Sequence, residues 1–467
     1  MSFSEISLDS ALVAKADAFT SEIFPEAVTT LTELVKIAGI AWPSFDPNEL
    51  ERSAEAVARE FKNLNFFDFV EVRRSKKPNG EDGAPAILAR RAGAVDAPHI
   101  LLYAHHDVQP PGDATKWESE PFTATQKGER LYGRGAADDK AGVITHLSAI
   151  RGLSQLADEI RVGITVFIEG EEEAGSESFL NFLSDNQEEL KADLIVVADS
   201  GNWSEEIPAL TTSLRGVVSQ TFTLSTMDHA LHSGMYGGPL PDAMTAMIRL
   251  LASLHDEKGD VAVDGLKSDE TSGPEVSLEQ LREESGLLPD VSRMGTKPIT
   301  QQIWGEPAIT VIGIDFPSVA VSSNTAQPSV TARVSLRLAP SEDPAKGLEL
   351  LRKHLTEKAP FGSKVDFGHY EMGPGYFAKK GWAASLSHQI LSAVWPKPSV
   401  DIGVGGSIPF ISHFASLFPD AEILVTGVED PDSRAHSPNE SQHLPTLKRA
   451  MTAETLLLLH GNLMVRK

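Results

Sequence analysis

Apolar residues recur at helical spacing from Leu12 to Ile40, and again among Ala, Glu and Arg from Glu49 to Leu64. The rhythm then changes to short unbroken apolar runs, Ala86 to Ala89 and His99 to Tyr103, as expected of strands buried on both faces. Helical spacing returns over Lys140 to Leu156, a strand run over Val162 to Ile168, a helix over Ser176 to Leu190 and a strand over Ala192 to Ala198. Such alternation predicts an α/β domain with a mostly parallel sheet and helices on both faces. From about Leu214 the strands alternate polar and apolar residues instead. Val217 to Ser225, Ser329 to Leu338 and Val365 to Tyr370 read as half-exposed strands, and Pro241 to His255 and Leu348 to Leu355 as helices. This predicts a smaller α+β domain, with Asp256 to Thr300 as loops and short helices. The first rhythm resumes with a helix over Ala384 to Val394, a strand over Ala421 to Thr426 and a helix over Thr446 to His460. One α/β domain, residues 1–213 and 376–467, is therefore interrupted by an inserted one, residues 214–375.

Composition narrows the chemistry. The 467 residues exceed a single typical domain, and 41% hydrophobic with 23% charged residues suits a globular chain. No cysteine is present, so disulfides, thiolate metal sites and cysteine nucleophiles are excluded. Any metal must be held by His, Asp and Glu. A net charge of −25 argues against nucleic acid, whose phosphates call for Lys and Arg. The N-terminus shows no basic-then-apolar signal pattern, and no apolar run approaches the roughly 18 residues of a membrane span. The expected location is cytoplasmic, away from membranes.

Five segments place His or carboxylates after strands, at a helix start or in a loop. His105-His106-Asp107 follows the 99–103 strand, and the ends of a His-x-Asp triplet point to one side. One end can bind metal while the other orients the imidazole. Gly133-Arg134-Gly135-Ala136-Ala137-Asp138-Asp139-Lys140 opens a helix; taken alone, its Asp reads as a cap. Its glycine spacing is not that of a phosphate loop. Glu169-Gly170-Glu171-Glu172-Glu173 follows a buried strand, where adjacent carboxylates repel unless a cation joins them. Asp199 ends another strand, and His436 lies in Ser433-Arg434-Ala435-His436-Ser437-Pro438-Asn439-Glu440. Each alone reads as a cap, a solvated face or a loop His. Together they supply N and O donors for two divalent ions, which in two-metal hydrolases activate water and polarise a carbonyl while a nearby Glu moves the proton.

Tyr103 to Pro110, Leu131 to Lys140, Glu169 to Ser176, His232 to Gly238 and Ser433 to Glu440 resemble the M20 metallopeptidases in order and over almost the whole chain, most closely the carnosinase and Cys-Gly dipeptidase branch. The resemblance implies that His105, Asp138 and Asp199 bind one metal and that Asp138, Glu173 and His436 bind the other, with Asp138 bridging. Asp107 would orient His105, and Glu172 would serve as general base and then acid. A cis peptide is implied at Asp138–Asp139. The inserted domain would be a lid and dimerisation domain whose His232 reaches the partner's active site and stabilises the oxyanion. Arg337 would hold the substrate carboxylate bidentately, with Asn324 and Ser407 as further substrate contacts. Carnosinase-like members often carry a His in the lid segment matching Gly373 to Tyr376; this chain has none there, which bears on substrate choice.

The resulting expectation is a homodimeric dipeptidase with two divalent ions per subunit, zinc, manganese or cobalt, acting on small peptides. An N-acyl amino acid deacylase of the desuccinylase or aminoacylase type shares the same chemistry. A non-catalytic cation-binding protein is disfavoured because Glu172 and every ligand are present.

Overall fold

The computed structural model describes residues 8–406 and 409–466. They form two compact units: one from residues up to Thr211, Ala378–Asp401 and His413 onward, the other from Thr212–Phe377 and Ile402–Ser412.

In the first unit the unbroken apolar runs become the centre of a sheet. Strands Gly163–Glu169, His99–His105, Leu194–Val197 and Glu422–Val425 lie side by side in that order, all parallel. Ala86–Arg91 and Phe69–Arg73 extend the Gly163–Glu169 edge in antiparallel fashion, so the sheet is mixed. Alternate side chains serve opposite faces. Ile100, Leu102 and Ala104 enter a core shared with helices Ser10–Val35, Pro47–Asn63, Lys140–Leu156, Trp382–Val394 and Leu444–Leu463. Tyr103 and Phe167 face an aromatic layer in which Phe167 stacks on Phe182 at 4.5 Å. Burying an aromatic side chain in such a layer is worth a few kcal/mol.

Helix Lys140–Leu156 is buried on almost every side. Lys140 itself is fully buried, its ammonium donating to the Leu34 and Ile37 carbonyls at 2.9 and 2.8 Å. The crossover through this helix places Gly163–Glu169 on one side of His99–His105, and the next crossover places Leu194–Val197 on the other. The strand order reverses at His99–His105, the position where open α/β sheets leave a crevice at the carboxyl ends of their strands. The single helix expected over Ser176 to Leu190 is instead a 3₁₀ turn at Glu172–Ala174 and two short helices, Phe179–Asp185 and Gln187–Leu190. They part at buried Asn186, whose side chain accepts from Arg73 at 2.6 Å.

The second unit has a four-stranded antiparallel sheet ordered Ala308–Asp315, Ser329–Leu338, Gly216–Ser225, Lys364–Gly373. Its inward residues, among them Val218, Phe222, Val334 and Leu336, pack with helices Ala243–Ala252 and Pro344–Glu357. Edge strand Ala308–Asp315 leaves Val311, Ile312 and Ile314 exposed. The alternation of its neighbours was readable; this strand, exposed along most of its length, was not. Among the described residues no helix is long and apolar enough to cross a membrane.

Candidate metal centre

His105 is the last residue of its strand and pairs in register with Glu169, the last of the neighbouring strand. Asp199 lies two residues beyond Leu194–Val197, and Asp138 two residues before helix Lys140–Leu156. These chain ends converge. His105 Nε2 lies 3.0 Å from Asp138 Oδ1 and 4.0 Å from Asp199 Oδ1. His436 Nε2 lies 3.0 Å from Asp138 Oδ2 and 3.3 Å from Glu173 Oε2. Asp138 thus presents one oxygen to each imidazole. Two groups able to hold a cation result, His105–Asp138–Asp199 and Asp138–Glu173–His436. The Asp138–Asp139 peptide is cis.

Electrostatics test whether this donor set suits cations. Burial pushes the Glu173 carboxyl up to about 8, with the Asp138 charge adding to it, and Asp199 up to about 6, with Asp138 and Asp107 adding. Burial and the Asp199 charge raise Glu172 well above the carboxylate range. For Asp138 burial is outweighed by the His105 and His436 hydrogen bonds, which hold it low. For His105 burial is likewise outweighed, by Asp107, Asp138 and Asp199, which raise it. Among the described residues no lysine or arginine pairs with Glu173 or Asp199. Clustered carboxylates with no lysine or arginine among them, and two imidazoles sharing one carboxylate, form a donor set that divalent cations fit.

Asp107 does more than orient an imidazole. Its backbone carbonyl and Oδ1 lie 3.1 and 3.4 Å from His105 Nδ1. Its two carboxylate oxygens also accept the backbone N–H groups of Glu172 and Glu173, at 3.2 and 3.1 Å. One side chain therefore ties His105 to the turn bearing Glu172. The Asp at the helix start is not a cap either: Asp139 makes no capping bond and instead accepts the His105 backbone N–H at 3.2 Å. The glutamate run is divided by role. Glu169 accepts from Tyr103 at 2.6 Å, and Glu171 from the Ala84 and Ser178 backbone at 3.1 and 2.5 Å. Glu173 accepts both the backbone and side-chain N–H of Gln109, at 3.1 and 2.7 Å. His106 points away, bonded to Pro85 and Ser53, and burial lowers it to about 4.

Three supporting residues escape sequence reasoning: Gln109, Asp139, and Glu440, which accepts the Asp138 backbone N–H at 3.1 Å. Each lies in or beside a segment named above, but nothing in its residue type tells a supporting role from a turn. A third close group, Glu205–Asp430–His443, is also present. Its cation is already supplied: the Arg130 guanidinium donates to Asp430 and, at 2.7 Å, to Glu205.

In the second unit, Leu231–His232 pairs with Thr325–Ala326, and Ser233 N donates to Asn324 O at 2.9 Å, so His232 and Asn324 are neighbours, both exposed. His232 Nδ1 accepts from Gly234 N at 3.1 Å. Arg337 is half-buried on Ser329–Leu338, between Val217 and Ala308 of the adjoining strands. Burial, and then the Arg337 charge, lower nearby Arg215 to about 10. Ser407 lies outside the described residues.

Residues 101–460 match the profile of "Peptidase family M20/M25/M40". The chain is 34% identical to a cysteinylglycine-S-conjugate dipeptidase of Corynebacterium striatum, over 81% of this chain and 84% of that one. It is 26% identical to the Cys-Gly metallodipeptidase dug1 of Schizosaccharomyces pombe, over 90% and 92%. Human carnosine dipeptidase 1 shares its fold, with a TM-score of 0.75, 23% identity and coverage of 98% of this chain and 100% of that one.

Proposed function

The chain belongs to peptidase family M20/M25/M40, and from that premise we propose that it hydrolyses the peptide bond of dipeptides using two divalent ions. The observation carrying this is Asp138, whose two oxygens each face a different imidazole, at 3.0 Å in both cases. His105, Asp138 and Asp199 would hold one ion, and Asp138, Glu173 and His436 the other. Bound there, zinc, manganese or cobalt would polarise the scissile carbonyl and acidify the attacking water. Glu172 accepts the proton that water loses as its oxygen bonds to the carbonyl carbon. It returns that proton to the amide nitrogen as the C–N bond breaks, releasing two amino acids. Asp107 fixes the Glu172 backbone during both transfers.

In this reading residues 214–375 form the lid and dimerisation domain, and the exposed Val311, Ile312 and Ile314 support a homodimer contact there. Arg337 receives the substrate carboxylate, His232 of the partner subunit the oxyanion, and Asn324 and Ser407 further substrate atoms.

Activity of the metal-loaded enzyme against a dipeptide panel and its N-acetylated counterparts tests the proposal. Free dipeptides should be cleaved, with the Glu172→Ala variant losing orders of magnitude in kcat while keeping its metal. A preference for blocked substrates would replace the dipeptidase reading with a deacylase.

A further inference from the structure

Four N–H groups converge on one carboxylate that belongs to neither ligand group. Glu440 is fully buried. Its Oε2 accepts from Arg134 Nη1 at 2.6 Å and Gly135 N at 3.0 Å. Its Oε1 accepts from Ala137 N at 3.0 Å and Asp138 N at 3.1 Å. Two carboxylate oxygens offer about four acceptor sites, so Glu440 is saturated. Arg134 is the largest fully buried side chain, with a second nitrogen 3.4 Å from both the Pro110 and Ser437 carbonyls. The donors sit on the turn that delivers Asp138. The acceptor sits four residues beyond His436, on the loop that delivers it.

That loop is held against its backbone preferences. Arg434, His436 and Asn439 take φ of +55°, +62° and +64°, the left-handed region that residues other than glycine disfavour. Packing does not hold the His436 ring, whose side chain is 59% exposed. Its contacts to Asp138 and Glu173 and the backbone beneath it hold the ring, and Glu440 is a fully buried attachment of that backbone. His105 and Asp199 have a different support, the ends of two central strands.

We propose that Glu440, paired with Arg134, is a positioning residue for the second ion. It locks the loop so that His436 stays within reach of Asp138 and Glu173. The ion held by His105, Asp138 and Asp199 meets Glu440 through one ligand only, Asp138, whereas the second meets it through two, Asp138 and His436. This rests on the reading of Asp138, Glu173 and His436 as a metal site.

Titration of the metal-stripped full chain with Mn²⁺ alone, by calorimetry, tests it, with folding checked by circular dichroism. The unaltered chain should bind two ions and His436→Ala one. Glu440→Gln should bind the second ion about 10- to 100-fold more weakly, the effect of removing a partner behind a metal ligand, and the first with a clearly smaller loss. Equal weakening of both ions, or none, in Glu440→Gln would overturn the inference. If His436→Ala keeps both ions unchanged, the metal-site reading fails first and takes this inference with it. Should Glu440→Gln not fold, Arg134→Lys keeps the charge but not the planar fork, and about tenfold weakening of the second ion, more than of the first, is expected. Two unchanged ions in Arg134→Lys would then refute it.

Discussion

Asp107 shows how much work one buried carboxylate can combine. It faces His105 and accepts the N–H groups of Glu172 and Glu173. Asp107→Asn preserves the volume but gives one N–H group a donor to face instead of an acceptor. Activity is expected to fall about 10- to 100-fold, with metal content by mass spectrometry nearly unchanged; full activity would deny the side chain its proposed function. His99 offers a prediction away from the site. Its ring meets the Thr165 hydroxyl at 2.8 Å, and burial, with Arg90 and Arg466, lowers it to about 4 from the ordinary 6.5. Between those values the unfolded chain holds the extra proton. The stability His99 contributes is therefore complete above about pH 6.5 and is lost as pH falls toward 4, at about 1.4 kcal/mol for each pH unit crossed. Urea unfolding at pH 7 and 5 should show a shallower loss for His99→Gln than for the unaltered chain. At this scale the members of the two cation-holding groups were legible only together, in the order of a family's motifs, since singly each read as a cap, a solvated face or a loop His. Gln109, Asp139 and Glu440 were not, since hydrogen-bond partners far apart in sequence leave no local pattern.

Among the elements, the buried strands announced themselves by unbroken apolar runs, and Ser329–Leu338 by strict alternation. Ala308–Asp315 is exposed at nearly every position, so burial imposed no rhythm on it. The broken segment after Glu173 was hidden because its apolar residues keep helical spacing across the Asn186 interruption. Helices Lys140–Leu156 and Leu444–Leu463 meet closely at Gly152, where an added Cβ would lie 2.5 Å from Thr455 Cγ2. Alanine normally favours a helix by roughly 0.5–1 kcal/mol over glycine. Here overpacking of about 1–3 kcal/mol should win. Thermal unfolding is expected to show Gly152→Ala less stable, with Thr455→Ala restoring part of the loss. A stabilised single variant would mean the two helices can move apart freely.

For the whole molecule, alternating strands replace unbroken ones near Leu214, close to where the second compact unit begins at Thr212, whereas nothing in the pattern set apart Ile402–Ser412, which belongs to that unit. The proposed action of His232 across a dimer makes a prediction that no single chain can satisfy. Chains carrying His232→Ala and chains carrying Glu172→Ala, each nearly inactive, should regain part of the activity after verified subunit exchange, because one mixed site per dimer keeps both groups. No recovery would confine His232 to its own subunit or to its turn.

Lys140 reaches across the first unit to the Leu34 and Ile37 carbonyls, at the end of the opening helix. That helix lends no ligand, yet a chain begun beyond it would leave a buried ammonium without acceptors two residues from Asp138, a charge whose isolation costs several kcal/mol. A shortened form that keeps every metal-binding side chain is therefore a damaged enzyme rather than a minimal one, and the opening helix belongs to the catalytic unit as surely as the strands that carry its histidine.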